Sequence, residues 1–401
     1  MRRTKIAQAC GLGLALVMAA LLSAGAAAAP AGEFLGKVRL VLPKVIYAVP
    51  GIEANVYFDN VTLVINPADY AFGVTCAKGI HQAERWTYKP AAGDAGDYPF
   101  VLEVRDESNA VIARARSTIH VSAPAAGAGQ AVSLLCIGDS LTHAGVYPQQ
   151  ILDQCKAEGN PKITLIGSFG PGATGTGDLR HEGYGGWTAE RFATYYNNGI
   201  ARTGDYTKRG SPFIYADAGG KPRLDFARYC ADFNNGSGPD FVTIFLGCND
   251  TFAATDAGID AAIDAMFKHY DTLVAMIHGV RKETKIGAVL LVPPAGSQDA
   301  FGANYQCGQT RQQYKRNQQR VVERMIEHYG GREAESLWLI PANVNLDCVH
   351  NYAQSAAAPW NAQTDEKGSR LSNGVHPDAS GYRQIGDSIY SWIKAQMPAG
   401  G

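Results

Sequence analysis

The chain has 401 residues, 46% of them apolar and 18% charged, with a formal net charge of −1. That length exceeds one ordinary domain and suits two, and the apolar share can fill a sizeable core. Near-neutral charge without any run of like charges excludes nucleic acid as an expected partner.

At the N-terminus, Arg2, Arg3 and Lys5 precede an apolar stretch from Gly11 to Leu22 and a small-residue tract from Ser23 to Ala29. A basic start, a short apolar middle and an Ala-x-Ala-like end describe a secretory signal peptide, so residues 1–29 are read as a leader. The apolar part is too short to span a bilayer, and no later segment approaches the length of a spanning helix. A secreted or periplasmic location is therefore expected, and loss of the three cations takes the charge from −1 to about −4. Cys76, Cys136, Cys155, Cys230, Cys248, Cys307 and Cys348 remain, an odd number that leaves a thiol unpaired. Cys136 and Cys248, at apolar strand ends, read as buried free thiols. Cys307 and Cys348 both fall in long polar loops and are expected to pair. Without Cys-x-x-Cys or His-x-x-x-His spacing, no structural zinc site is expected.

Residues 33–122 read as a small all-β domain. "RLVLPKVIYAVP", "EANVYFDN", "VTLVIN", "AFGVTC", "AERWTYKP", "YPFVLEVRD" and "VIARARSTIHVS" are short β-rich runs separated by turn residues. Phe100, Leu102 and Val104 alternate before a turn at Asp106–Asn109, which marks a hairpin. The pattern predicts an antiparallel, immunoglobulin-like β-sandwich, with Trp86 and Cys76 in its core. The small residues of "SAPAAGAGQ" make 123–131 a linker.

From 132 to 398 the period changes. Apolar strands are expected at Leu134–Ile137, Ile163–Phe169, Asp240–Gly247, Ile286–Pro294 and Ser336–Pro341. Helices are expected over Val146–Gly159, about Asp256–Lys282, about Gln309–Tyr329 and about Ala379–Gln396, the last capped by Asp378. Apolar strands alternating with helices predict an α/β domain, a parallel sheet covered on both faces. Ligand sites in such sheets lie beyond the carboxyl ends of the strands. "GDSL" (Gly138–Leu141) and "GCND" (Gly247–Asp250) stand at two such ends. A serine there, at the start of a helix, is placed where backbone N–H groups favour a developing negative charge. Acyl transfer further needs a base, oxyanion donors and a group that holds the base.

With these blocks in hand, the segment from about Val132 to Met397 resembles the SGNH (GDSL-type) hydrolases. "GDSL", "GYGGWT" (Gly183–Thr188), "GCND" and "NGVHP" (Asn373–Pro377) follow the order of that family's four blocks. The resemblance implies a flavodoxin-like fold and a Ser-His acyl-enzyme mechanism that calls for no metal and no cofactor. It makes Ser140 the nucleophile, the Gly186 N–H (alternatively Gly185) and the Asn249 amide oxyanion donors, and His376 the base. The family usually has an aspartate three residues before the histidine; this chain has Asn373. Asparagine can accept the Nδ1 proton but brings no charge, and in a serine-protease template that exchange slows catalysis by roughly 10⁴ through the wrong tautomer. Asn373 or a carbonyl of the Ser369–Ser372 loop is expected to orient His376, with Asp378 and Asp365 as poorer alternatives. Asp139 is read as a turn stabiliser and His143 as a rim or packing residue. Arg180, His181 and Glu182 are read as substrate contacts or a surface salt network.

The expected function is that of a secreted esterase acting on acyl, foremost acetyl, esters of carbohydrate. Tyr184, Trp187, Tyr305, Tyr352 and Trp360 are the aromatic residues available to meet sugar rings, and the long polar loop Val344–Ser372 is expected to shape the pocket. The resemblance also admits a short-chain lipase, an arylesterase or a thioesterase. A different class, a non-catalytic glycan-binding protein on a hydrolase scaffold, stays open because the usual acid is missing.

Overall fold

Alternation of inward and outward side chains builds the first part of the chain in this computed structural model, which describes residues 38–170, 177–197 and 209–399. The expected leader at 1–29 and the first residues of the expected sandwich, 33–37, lie outside the described residues. Seven strands follow: β1 (Val45–Ala48), β2 (Ala54–Tyr57), β3 (Ala71–Thr75), β4 (Ile80–His81), β5 (Arg85–Tyr88), β6 (Gly96–Arg105) and β7 (Val111–Val121). On β6, Phe100, Leu102 and Val104 are fully buried while Glu103 and Arg105 stay partly exposed, as a two-residue period requires. The strands form one sheet in the order β1-β7-β6-β3 and a second in the order β2-β5-β4. Val56, Trp86, Phe100, Leu102 and Ile119 from both sheets share one apolar cluster.

Two details differ from the sequence expectation. β1 pairs with β7 in parallel, Val45 opposite Thr118, so the larger sheet is not purely antiparallel. Those strands are far apart in the chain, so no hairpin dictates their direction. The run Val61–Asn66 forms no strand; a 3₁₀ turn at Phe58–Asn60 precedes it and delivers Val61 into the core.

The remaining strands are β8 (Ala131–Gly138), β9 (Lys162–Ile166), β10 (Glu182–Gly183), β11 (Ile214–Ala216), β12 (Pro222–Leu224), β13 (Phe241–Phe245), β14 (Lys285–Val289) and β15 (Leu337–Ile340), with a small ribbon of β16 (Ala358–Pro359) and β17 (Lys367–Gly368) beyond them. The helices are α1 (Ser140–His143), α2 (Val146–Cys155), α3 (Ala189–Thr194), α4 (Phe226–Phe233), α5 (Cys248–Thr251), α6 (Ile259–His278), α7 (Gln298–Tyr305), α8 (Arg311–Tyr329), α9 (Ala342–Asn345) and α10 (Ala379–Ala395). The central sheet runs β9-β8-β13-β14-β15, all parallel, and β10 pairs with the carboxyl end of β8. Winding runs one way from β8 to β9 and the other way from β13 onward. Right-handed crossovers then put α2 on the face opposite α6 and α8. The packing agrees: α2 lies against α10, and α6 lies against α3 and α8.

α6 buries Ile259, Ile263, Met266, Tyr270, Leu273, Val274 and Ile277, the stripe of a helix lying on a sheet. The α8 sequence looks polar, yet it buries Asn317 and Gln318 because their amides cap loop carbonyls. Asn317 Nδ2 reaches Thr251 O (3.0 Å) and Ala254 O (2.9 Å), and Gln318 Nε2 reaches Leu291 O (2.6 Å). Asp378 caps α10 through Ser380 N and Gly381 N, as the sequence predicts. Among the described residues, no helix is long and apolar enough to cross a membrane.

The small-residue tract before β8 is seated rather than a free tether. Gly127 N donates to Pro398 O (3.0 Å), Gly129 N to Asn160 O (2.9 Å), and the buried Lys394 Nζ to Pro124 O (2.7 Å), Gly159 O and Asn160 Oδ1. The expected Cys307–Cys348 pair does not form. Cys307 is exposed, whereas Cys348 is buried with Sγ 3.4 Å from Asn60 Oδ1, a position that loop polarity does not reveal. Replacing Lys394 with Met should leave these carbonyls unpaired and cost roughly 1–3 kcal/mol, read as a lower thermal midpoint.

Candidate active site

Three stretches of chain meet where β8 and β13 end. These neighbours are in register to their last residues, Ile137 opposite Ile244 and Gly138 opposite Phe245, at the point where the winding reverses. At Gly138 a Cβ would fall 1.9 Å from Thr142 Oγ1 and 2.9 Å from Phe245 O, so only glycine allows so tight a departure. Asp139 caps the next turn, its Oδ1 accepting from Leu141 N at 2.9 Å, and Ser140 becomes the first residue of α1. After β13, Gly247 leads into α5, which carries Asn249.

The glycine block enters from the other side. β10 runs parallel to Ile137–Gly138, Tyr184 N donates to Gly138 O (3.0 Å), and Gly186 turns the chain with φ +74. Trp187 is buried, with Arg191 4.8 Å above its ring. Polar bonds tie the blocks together. Asn249 Nδ2 donates to Trp187 O (3.0 Å) and Asp139 Oδ2 (3.2 Å), and Ala189 N donates to Asp250 Oδ1 (3.1 Å). Both Asn249 amide protons are thus engaged, and lending one to a ligand means sharing or giving up a bond. Among the described residues, neither the Ser140 N–H nor the Gly186 N–H has a hydrogen-bond partner. Burial pushes the Asp139 carboxyl up to about 7, with the Asp250 charge adding to it, and pushes Asp250 up to about 6.

The fourth stretch, Asn373–Pro377, brings His376 Nε2 to 2.8 Å from Ser140 Oγ across 236 residues of sequence. Its Nδ1 lies 3.3 Å from Asn373 Oδ1. That oxygen also accepts from Val375 N (3.1 Å) and His376 N (2.8 Å). The two backbone N–H groups fix which way the Asn373 amide faces, because its NH₂ cannot face donors. An oxygen beside Nδ1 selects the tautomer with the proton on Nδ1 and a lone pair on Nε2, facing Ser140. The turn itself thus orients the Asn373 amide with its oxygen toward the imidazole. Burial lowers the His376 pKa below its ordinary value, so the imidazole is neutral at neutral pH. Of the alternatives, Asp378 is spent on capping α10, and Asp365 is exposed.

Other expectations need correcting. His181 and Glu182 are buried, not part of a surface network. Glu182 accepts from Ser168 N (2.5 Å), Ser168 Oγ (2.9 Å), Tyr229 OH (2.7 Å) and Tyr184 OH, and buried Arg209 bonds Ser168 Oγ and Tyr184 OH at 3.2 Å each. This cluster anchors β10. Tyr184, Trp187 and Tyr352 belong to the core, which leaves Tyr305, half-buried, and Trp360, exposed, of the five aromatic residues named for sugar contact. Asp139 stabilises its turn as expected and also grips Asn249. His143 packs against Phe169, with Nδ1 3.2 Å from Gly183 O. Sequence reading missed Asn304, whose Oδ1 accepts from Gly374 N (3.0 Å); nothing local marks this residue of α7.

A serine hydroxyl bonded to an imidazole nitrogen at the carboxyl ends of a parallel sheet defines a serine hydrolase arrangement. The chain belongs to the GDSL-like lipase/acylhydrolase family, whose model matches residues 136–384, and it is a carboxylic ester hydrolase. No curated protein matches the chain. Among solved structures it is similar to a carbohydrate esterase family 3 protein from Talaromyces cellulolyticus (15% identity, 65% of this chain and 96% of that one, TM-score 0.37). It is also similar to a family 3 carbohydrate esterase from Clostridium thermocellum (16% identity, 68% of this chain and 100% of that one, TM-score 0.36). A carbohydrate acetylesterase family member from Sinorhizobium meliloti is comparable (14% identity, 66% of this chain and 98% of that one, TM-score 0.36).

Asn373→Asp should place an anion beside Nδ1, favour the imidazolium and raise the His376 pKa. The acid limb of kcat/KM should then move to higher pH by roughly one to three pH units, measured from the pH–rate profiles of both proteins.

Proposed function

We propose that the protein is an exported serine esterase that removes short acyl groups, acetyl foremost, from carbohydrate. The observation that carries the reading is the 2.8 Å contact of His376 Nε2 with Ser140 Oγ, made by an imidazole that burial keeps neutral. In this reading His376 takes the hydroxyl proton as Ser140 attacks the ester carbonyl. The tetrahedral oxyanion faces the N–H groups of Ser140 and Gly186, with one proton of the Asn249 amide turning to it from its resting bond. His376 returns the proton to the leaving alcohol. Water then repeats the attack on the acyl-enzyme with the same base, releasing the acid. Asn373 holds the tautomer throughout.

The short acyl group is supported by aromatic packing that joins the segment after Asn249 to the segment before His376. Phe252, directly after α5, lies 5.1 Å from Tyr305 between ring centroids, and Phe301 packs against Tyr305 and against Gly374. In this reading the rings set the limit on acyl length. A carbohydrate leaving group is supported by the ribbon that starts at the Tyr352–Pro377 bridge beside His376. It carries exposed Trp360, with the Arg370 guanidinium 4.8 Å from its ring. The reading assigns residues 132–398 to the hydrolase domain, 33–122 to an appended β-sandwich and 123–131 to the seated connection. Export rests on the leader-like residues 1–29.

A panel of nitrophenyl esters from acetate to palmitate, run beside acetylated xylan and pectin, tests the substrate. Acetate should be preferred and acetylated polymer should release acetate; preference for palmitate would overturn the short-chain assignment. Ser140→Ala should abolish hydrolysis and covalent labelling by a fluorophosphonate. Asn249→Ala should lower kcat on the order of 10²–10³.

A further inference from the structure

His376 and the group that orients it share one loop, so Asn373 fixes the tautomer but not the distance to Ser140. That distance depends on what holds the loop from outside. Gly374, two residues before His376, is held on both sides of its peptide: its N–H by Asn304 Oδ1, and its carbonyl by Ala295 N at 3.0 Å. The Ala295 carbonyl in turn accepts from Arg311 Nε at 3.0 Å, and the same guanidinium gives Nη2 to Asp59 Oδ2 at 2.9 Å. Asp59 sits in the 3₁₀ turn after β2, among the N-terminal strands, and its other oxygen pairs with buried Lys315. An unbroken series of polar contacts thus runs from those strands to the loop of the base.

We infer that the N-terminal strands brace the His376 loop through Asp59 and Arg311, which act as positioning residues for the base. The inference rests on the esterase reading of His376. The choice of arginine fits the task, because its planar fork holds the Nε–H and an Nη2–H in fixed directions, one for each acceptor, whereas a lysine offers one compact ammonium on a flexible stem. Neighbouring contacts pull the same way. Asn60 Nδ2 donates to Asn343 O and Leu346 O, Asn55 N to Asn345 Oδ1, and Tyr57 OH to Asp347 Oδ2. The segment they hold accepts Gly296 N at Cys348 O, 2.7 Å, directly after Ala295. The Arg39–Glu323 ion pair also joins the N-terminal part to α8, but it is partly exposed, with Arg39 Nη1 on the two carboxylate oxygens of Glu323 rather than on Ala295 or the loop.

The test compares Arg311→Lys and Asp59→Asn with Arg39→Ala. Three properties are measured: kinetics on nitrophenyl acetate, thermal midpoint, and hydrogen exchange of the 371–378 peptide. A displaced base should cost about 10- to 100-fold in kcat with KM within about twofold, because misplacement near 1 Å has costs of that order. Exchange in 371–378 should rise in both brace variants and stay at the wild-type level in Arg39→Ala, whose kcat should also be unchanged. Wild-type kcat in Arg311→Lys, or an equal loss in Arg39→Ala, would overturn the brace. If Asp59→Asn does not fold, Arg311→Lys carries the test, since Lys315 keeps Asp59 paired. A wild-type protein that hydrolyses no ester defeats the esterase reading alone; unchanged exchange in Arg311→Lys defeats the brace alone.

Discussion

The hydrogen bond between His376 Nε2 and Ser140 Oγ joins two loops that no local force brings together. A contact of 2.8 Å across 236 residues exists only because a parallel sheet sets one loop and the packing of α7, α8 and the 293–296 segment sets the other. The serine side is rigid for a simple reason. Two neighbouring strands end in register, a glycine permits the tight exit, and Asp139 caps the turn that follows. Among the described residues, the histidine side has no strand beneath it. Its place is decided by hydrogen bonds to Gly374 and by the bridge from Tyr352 to Pro377.

Electrostatics around the site are set by burial more than by paired charge. No carboxylate faces His376 from position 373, so desolvation acts on the imidazole unopposed and keeps it neutral. Asn373 presents its oxygen to the imidazole because two backbone N–H groups settle its orientation. On the other side, Asp139 and Asp250 are pushed up by the same desolvation while they tie Asn249 and the start of α3 in place. Their value is geometric: each spans two of the blocks that sequence separates.

The N-terminal strands sit against the same end of the molecule. Their asparagines and Asp59 bond to backbone carbonyls and side chains between Ala295 and Asp347 rather than to solvent. Burial also explains why aromatic residues near the blocks mislead. Tyr184 and Trp187 pack around the glycine turn, and Glu182 is held under them by tyrosines and Ser168. Residues adjacent to a functional loop are often there to make it stiff.

Much of this was legible in the chain itself. Apolar strands alternating with amphipathic helices specify a covered parallel sheet, and the blocks at 138–141, 183–188, 247–250 and 373–377 carry their own local geometry through glycine, Asx turns and caps. The β6–β7 hairpin and the cap of α10 are likewise local, so short-range pattern sufficed. Tertiary structure alone decided the parallel pairing of β1 with β7, the free state of Cys307 and Cys348, and the burial of His181 and Glu182. It also decided that Asn373 faces the imidazole with its oxygen, and that Asp59 reaches the loop of His376 through Arg311. The division has one cause: sequence encodes what neighbouring residues do to each other, whereas burial, charge and long-range hydrogen bonds depend on partners hundreds of residues away.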